Sequence, residues 1–156
     1  MLISVIAVGK KEPDWINQGI REYNKRLSGE VKIKLVEVTA VKRRKTDTID
    51  TVLRKEAVNI MAAIPRGGPY IAMDEHGKQL STMDLSRRLD VWIGEGMSPC
   101  FVIGGADGLH ASIRSGAIEM WSLSRLTLPH GLARLLMMEQ LYRAWTILKN
   151  HPYHRQ

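Results

Sequence analysis

Cysteine is nearly absent from this 156-residue sequence, and its one thiol, Cys100, lies inside the apolar run Cys-Phe-Val-Ile. A single cysteine excludes an intrachain disulfide, so we expect a reducing compartment and a cytoplasmic protein. A nucleophilic thiol is the alternative, but cysteine within an apolar strand usually behaves as a small buried hydrophobic residue.

Long apolar runs are also lacking. The mostly apolar stretch from Met1 to Val8 has no basic lead-in, and the polar residues Gly9 to Glu12 follow at once. The stretch is too short to span a membrane, and it predicts a first core strand. We expect no membrane association.

Standard cofactor and metal motifs are missing as well. The loop Gly104–Gly108 follows an apolar strand and would let main chain approach a ligand closely, but it lacks the dinucleotide fingerprint and the lysine of a P-loop. A plain tight turn is the alternative. The His-x-x-His spacing of His151 and His154 has no carboxylate or thiol nearby, so we expect no metal site.

Positive charge is plentiful. The formal net charge is +7, which favours a polyanionic partner without establishing one. The densest cluster is Lys42-Arg43-Arg44-Lys45, which would gain from meeting phosphates but would serve equally as a solvated, mobile loop. The apolar share of 44% and the length are those of one soluble domain, here residues 1–156.

Hydrophobic periodicity predicts alternating strands and helices, and therefore an α/β fold: a parallel sheet with helices on both faces. The expected strands are 2–8, 31–38 (near a sheet edge), 70–74 (closed by a turn at 75–78), 100–103 and a short strand or extended loop within 123–128. The expected helices are 13–27, 46–64, 81–93 (opened by a Ser81/Asp84 cap), 111–119 and 131–149.

In such sheets, ligands bind beyond the carboxyl ends of the strands. The loops after Met73, Ile103 and Leu128 are therefore the candidates. Within 123–128, leucines alternate with polar residues, and Pro129 then removes a backbone donor. Open main chain beside apolar side chains suits a flat heterocycle, so we expect the ligand site here.

The last helix is apolar around most of its circumference, and such a helix is buried on more than one side. A second subunit would supply that burial, so we expect a homodimer; burial within the chain's own fold is the alternative.

We also expect Glu139 to pair with Arg143 at i+4, or else to position the substrate. The tail 151–156 carries two imidazoles, a phenol and a guanidinium, a set suited to proton transfer and phosphate binding, although termini are usually disordered.

Several motifs together resemble a known family across essentially the whole chain. They are Val-Ile-Gly-Gly-Ala-Asp-Gly at 102–108, Leu-Ser-Arg-Leu-Thr-Leu-Pro-His at 123–130, Glu-Gln-Leu-Tyr-Arg-Ala at 139–144, the tail His-Pro-Tyr-His-Arg, and the N-terminal Val-Gly-Lys-Lys and Pro-Asp-Trp. The combination closely resembles the bacterial ribosomal RNA large subunit methyltransferase H family, within the SPOUT class.

The resemblance implies an enzyme that depends on S-adenosyl-L-methionine, methylates N3 of a pseudouridine in helix 69 of 23S ribosomal RNA and acts on assembled ribosomes. It also implies a C-terminal trefoil knot, which topology rules make very rare, and a homodimer. The cofactor contacts that it implies are Met73, Gly104, Leu123, Ser124, Arg125, Leu126, Thr127 and Leu128. Relatives often carry leucine where this chain has Met73, and both side chains are apolar.

For the chemistry, N3 must lose a proton. His154 and Tyr153 are the candidates for taking it or for stabilising the anion, with Arg155 and Arg143 holding the RNA. The tail of one subunit is expected to close over the cofactor of the other. Two alternatives stay open: a non-catalytic RNA-binding protein associated with the ribosome, and a SPOUT methyltransferase acting on another RNA.

Overall fold

A computed structural model describes residues 1–9, 11–27 and 29–154. Strands and helices alternate along the chain, as the periodicity predicts. The elements are β1 (Leu2–Val8), α1 (Asp14–Arg26), β2 (Lys32–Val38), α2 (Ile49–Ala63), a 3-10 turn (Pro65–Gly67), β3 (Ile71–Gln79), α3 (Thr82–Gly94), β4 (Cys100–Ile103), α4 (Ala111–Gly116), β5 (Glu119–Ser122) and α5 (His130–Leu148).

The five strands form one sheet in the order β2-β1-β4-β3-β5, and every pairing is parallel. The prediction of an α/β fold with a parallel sheet is confirmed. The edge position predicted for β2 is also confirmed, and the exposed side chains of Lys32 and Lys34 lie on this strand. Charged residues of this kind protect an edge strand from pairing with other chains.

Helices cover both faces of the sheet. Alternate residues of β1 belong to different cores, because successive side chains of a strand point to opposite faces. Ile3 and Val5 pack in the cluster formed with α1, α3 and α5, whereas Ile6 and Val8 pack in the cluster formed with α2 and α4. The start of α3 shows the predicted cap: Ser81 accepts a hydrogen bond from the Asp84 amide, and Asp84 accepts one from the Ser81 amide.

Helix α5 packs against both α1 and α3, which confirms that it is buried on more than one side. Met137, Met138 and Leu141 are almost completely buried, whereas Leu136 is 39% exposed. The chain's own fold thus covers most of the helix, which is the alternative weighed for its apolar surface. The homodimer stays a prediction.

Three boundaries differ clearly from the sequence-based expectation. Residues 75–78 do not end the third strand, because β3 continues to Gln79, and the last strand lies at 119–122 rather than within 123–128, so that α4 ends at Gly116. The first difference has an identifiable cause. Strand β3 pairs with β5 twice, and the register shifts between Met73 and Lys78, so residues 74–77 bulge out of the ladder. A Cβ atom at Gly77 would lie 2.6 Å from the backbone carbon of Trp121, so the strands meet here only because residue 77 is glycine.

Candidate functional site

A cavity of about 730 Å³ opens where β4 and β5 end, beside the bulge in β3, and this is a normal size for a small-molecule site. The loops that follow β4 and β5 contribute to its wall, as expected from the carboxyl ends of a parallel sheet. The third expected loop, after Met73, is not a loop: these residues belong to β3 and line the cavity where its ladder is interrupted. The lining residues are Met73–Glu75, Ile103–Gly108, Trp121–Ser124, Leu126–His130 and Ala133.

Seven of the eight predicted cofactor contacts line this cavity: Met73, Gly104, Leu123, Ser124, Leu126, Thr127 and Leu128. The exposed Arg125 is the predicted contact that is not among the lining residues. Of the two structures considered for 123–128, the short strand is wrong and the extended loop is right. The cofactor-binding role of these residues stays a prediction.

The glycine loop after β4 folds back on itself. The Gly108 amide donates a hydrogen bond to the Gly105 carbonyl at 3.1 Å, and Gly108 has a φ of +80°, which favours glycine. A Cβ atom at Gly104 would lie 2.5 Å from the carbonyl oxygen of Gly108. The loop is a tight turn, and it also presents main chain to the cavity.

Short polar contacts hold the segment after β5 in its open form. The Ser122 hydroxyl donates to the Ser124 carbonyl at 2.9 Å, and the Leu126 amide donates to the Ser124 hydroxyl at 2.9 Å. The side chain of Leu126 is 76% exposed at the mouth of the cavity. Pro129 then forms the N-cap position of α5, which fixes where the helix begins.

Three carboxylates at the cavity were missed by sequence reasoning: Asp74, Glu75 and Asp107. Asp74 and Glu75 lie in the bulge of β3, and Asp107 lies in the glycine loop. The Asp74 side chain is only 10% exposed, with His76 Nδ1 at 3.0 Å. Their positions soon after the buried runs 70–72 and 100–103 were the available signal.

A buried ionic cluster supports the wall beside α5, and sequence reasoning missed it too. Arg134 is completely buried, and its Nη2 donates to the carbonyls of Val8 (2.7 Å) and Gly9 (2.8 Å). The same atom lies 3.5 Å from Glu12 Oε1, which lies 3.1 Å from Nε2 of the cavity residue His130. No spacing rule brings residues 12 and 134 together, because their contact depends on the tertiary fold.

The described part of the tail lies along α5, apart from the cavity. The Tyr153 ring packs on Tyr142 with centroids 4.7 Å apart, and Arg143 lies 4.9 Å from its centroid. The Tyr153 hydroxyl oxygen is 3.2 Å from Glu139 Oε1 and 3.4 Å from the Tyr23 hydroxyl. Burial, followed by the hydrogen bond to Tyr23, raises the pKa of Tyr153 well above its usual range.

The predicted pairing of Glu139 with Arg143 is present, with Arg143 Nε donating to Glu139 Oε1 at 2.8 Å. This hydrogen bond also raises the pKa of Arg143. His154 Nδ1 is shielded from solvent and has no hydrogen-bond partner within residues 1–9, 11–27 and 29–154. The fourth predicted catalytic residue, Arg155, lies outside the described residues.

The structure therefore brings the predicted residues together in two groups rather than one. Tyr153 contacts α5 at the level of Glu139, six positions after the cavity residue Ala133, and this corresponds to roughly 9 Å along the helix axis. None of the described tail residues lines the cavity. A joint role for the two groups requires a rearrangement or a second subunit.

Cys100, the one cysteine of the chain, is buried. Burial raises the pKa of the Cys100 thiol to about 11, which fits the buried hydrophobic role. No cluster of three or more potential metal-ligating side chains occurs among the residues that the structure describes. No helix in this part of the chain is long and apolar enough to cross a bilayer.

Comparison with solved structures supports the architecture. The chain superposes on a protein described as a probable methylase family protein from Haemophilus influenzae Rd KW20 with a TM-score of 0.57, covering 99% of this chain and 70% of that one. Because the two sequences are only 12% identical, this likeness concerns the fold alone.

Comparison of sequences is more specific. A family model described as "Predicted SPOUT methyltransferase" matches residues 1–154. The chain is 48% identical over 155 residues to the ribosomal RNA large subunit methyltransferase H of Ralstonia pickettii (strain 12J), covering 99% of each chain. It is 44% identical over 156 residues to the protein of the same name from Hydrogenovibrio crunogenus, covering all of both. The chain therefore belongs to the ribosomal RNA large subunit methyltransferase H family of SPOUT methyltransferases.

Proposed function

We propose that this protein is an S-adenosyl-L-methionine-dependent methyltransferase of ribosomal RNA. The observation that carries the proposal is the cavity at the ends of β4 and β5 and the bulge of β3, which includes the segments whose motifs resemble the family's. More finely, we propose that it methylates N3 of a pseudouridine in helix 69 of 23S ribosomal RNA on assembled ribosomes, in the cytoplasm.

The cavity fits the proposed cofactor in size and chemistry. Leu123, Leu128 and Met73 supply apolar wall for an adenine ring, and the glycine loop supplies main-chain groups for its polar edge. Asp74, Glu75 and Asp107 supply negative charge. S-adenosyl-L-methionine, when bound, supplies an electrophilic methyl group on a positively charged sulfonium, and these carboxylates would favour such a cation.

The tail residues are proposed to act on the base. The Tyr153 phenol is protonated near neutral pH, as an ordinary tyrosine is, and its raised pKa keeps it protonated at higher pH, so it can donate a hydrogen bond to a developing N3 anion. Accepting the proton then falls to His154, whose Nδ1 is not engaged by the described residues. Arg143 and Arg155 would bind the RNA backbone.

The separation of tail and cavity supports a homodimer in which the tail of one subunit serves the cavity of the other. Within one chain, Tyr153 contacts α5 at Glu139, roughly 9 Å along the helix axis from the cavity residue Ala133. Leu136 and neighbouring half-buried residues of α5 are available for an interface. The trefoil knot that the family resemblance implies is part of this proposal.

Mixed dimers test the arrangement in trans. One variant lacks residues 153–156, and the other carries Leu128→Trp, which fills the cavity. Each should be inactive alone, while a mixture that has exchanged subunits should regain activity, because it contains an intact cavity beside an intact tail. An inactive mixture with demonstrated subunit exchange would contradict action in trans.

Mass spectrometry of ribosomal RNA from cells lacking the protein tests the reaction itself. We expect one methyl group to disappear, from a pseudouridine in helix 69, and to return when the purified protein and cofactor are added to those ribosomes. Loss of a methyl group elsewhere would indicate another RNA target. If calorimetry detects no binding of S-adenosyl-L-methionine, the non-catalytic RNA-binding alternative is favoured instead.

A further inference from the structure

We propose that the exposed basic loop Lys42–Lys45 binds the phosphate backbone of the substrate RNA beside the cavity. The inference rests on the proposed function, since it takes RNA as the substrate, and it adds a docking surface to the site. Sequence reasoning left this cluster undecided between a phosphate-binding loop and a solvated one. The structure supplies three observations that favour phosphate binding.

The first observation is position. The loop follows β2, so it leaves the sheet at the carboxyl edge, where the cavity opens. Strand β2 is separated from β4, which carries the glycine loop, by β1 alone. At the usual spacing of neighbouring strands, the two strand ends are about 10 Å apart. An RNA strand presenting a base to the cavity would pass within reach of long side chains on this loop.

The second observation is that the start of the basic loop is held near the glycine loop, which lines the cavity. The Val41 amide donates to Glu56 Oε1 at 3.1 Å, and Glu56 is 6% exposed. Burial raises the pKa of Glu56, and the nearby carboxylate of the cavity residue Asp107 adds to this effect. The basic loop is thus held at its start by a buried side chain close to the glycine loop.

A further contact joins the segment after the glycine loop to α2, the helix that follows the basic loop. His110, two residues after the glycine loop, has its Nε2 3.2 Å from Oδ1 of Asp50 in the first turn of α2. Inside the loop, the Arg44 amide donates to Asp47 Oδ2 at 2.9 Å, and the Asp47 amide donates back to the Arg44 carbonyl at 3.0 Å. This reciprocal turn gives the loop a defined shape.

The third observation is unneutralised charge. Lys42, Arg43, Arg44 and Lys45 are all exposed, and none of them forms a salt bridge with any described carboxylate. Other exposed arginines, such as Arg54 and Arg87, do have carboxylate partners on their own helices. Four adjacent cations without internal partners repel one another, and phosphates relieve that repulsion while releasing counterions.

The test compares two quadruple variants. In the first, Lys42, Arg43, Arg44 and Lys45 are all changed to glutamine. In the control, Arg21, Lys25, Lys32 and Lys34, which are exposed and lie toward the amino edge of the sheet, are changed to glutamine. Both variants lower the formal net charge of +7 by four, so a difference between them reports position rather than total charge.

Binding to unmodified ribosomes is measured over a range of salt concentrations, with methylation rate and cofactor affinity measured in parallel. We expect the loop variant to bind about 10- to 100-fold more weakly and the slope of log K against log salt to flatten by about 3, as for four lost phosphate contacts. Its affinity for S-adenosyl-L-methionine should stay unchanged, and its KM for ribosomes should rise more than its kcat falls. The control variant should bind ribosomes less than about threefold more weakly than the unaltered protein.

The outcomes separate the two proposals. If the unaltered protein neither binds the cofactor nor methylates ribosomes, the proposed function fails. If it does both, and the loop variant keeps its affinity and salt slope, the docking inference is wrong. Equal weakening by the control variant also overturns the inference, because net charge alone would then explain binding. If the loop variant lost affinity for vesicles containing phosphatidylserine but still bound ribosomes as the unaltered protein does, the loop would bind a membrane surface and the docking inference would be wrong.

Discussion

Nη2 of Arg134 donates a hydrogen bond of 2.7 Å to the carbonyl oxygen of Val8, a residue 126 positions earlier in the chain. The guanidinium joins the end of β1 to the first turns of α5, and α5 begins at the cavity residue His130. The Glu12 carboxylate contacts both Arg134 and His130: its Oε1 lies 3.5 Å from Nη2 of Arg134 and 3.1 Å from Nε2 of His130. One wall of the cavity is therefore held in place by a completely buried cation.

Replacing Arg134 by methionine should destabilise the fold by about 3–5 kcal/mol, because the carboxylate of Glu12 would remain buried without its cation. Two carbonyl oxygens would also lose their donor. Arg134→Lys should recover part of the loss, since a single ammonium cannot reproduce the guanidinium geometry. Urea unfolding provides the measurement.

Arg87→Met is the matched control, because Arg87 forms an exposed pair with Asp84 and should contribute less than about 1 kcal/mol. A variant Arg134→Met as stable as the unaltered protein would show that the buried cluster does not support this part of the fold.

Gly104→Ala should weaken cofactor binding by about tenfold or more, which corresponds to about 1.4 kcal/mol. The added Cβ would lie 2.5 Å from the carbonyl oxygen of Gly108, and backbone must move to relieve the contact. The control is Gly94→Ala at the end of α3, where an added Cβ meets nothing within 4 Å. Calorimetry with S-adenosyl-L-methionine measures both variants, and equal affinities would contradict the role given to the glycine loop.

The layout of the fold could be predicted from the sequence because the strong signals are local. The apolar runs of β1 and β4 mark central strands, and the alternating lysines of β2 mark an edge. Two loops of the cavity, after β4 and β5, then followed from the rule that parallel strands end at one edge of their sheet, whereas Met73–Glu75 line the cavity from inside β3. None of these steps required knowledge of a distant contact.

The details that could not be predicted depend on distant contacts. Residues 75–78 resemble a turn in sequence, but Gly77 meets the backbone of Trp121, and the pairing with β5 extends the strand instead. Arg134 is one polar residue within an otherwise mostly apolar helix, and nothing near it in the sequence indicates its partners Val8 and Glu12. Burial of a cation is set by tertiary packing, so sequence periodicity does not reveal it.

The Cys100 thiol should make the protein less stable as pH rises from about 9 to about 11. Burial raises its pKa to about 11, so the unfolded chain loses the proton first and is favoured over this range. The loss should reach about 3 kcal/mol for a shift of this size. Unfolding by urea at several pH values measures it, and Cys100→Ala should give a flatter pH dependence. Rapid reaction of the native protein with iodoacetamide at pH 8 would contradict the burial.

Tyr153→Phe should separate the chemical role of the phenol from the packing of its ring. The ring can keep its contacts with Tyr142 and Arg143, while the hydroxyl's contacts with Glu139 and Tyr23 are lost, so stability should fall by only about 1 kcal/mol. If the phenol stabilises the N3 anion, kcat should fall by at least about tenfold with unchanged affinity for the cofactor. Since the pKa of Tyr153 is raised, the unaltered enzyme should show no loss of rate from phenol ionisation up to about pH 10.

Tyr23→Phe is the control, because it removes the partner hydroxyl and leaves Tyr153 in place. If both variants lose the same small amount of activity, Tyr153 contributes packing rather than chemistry.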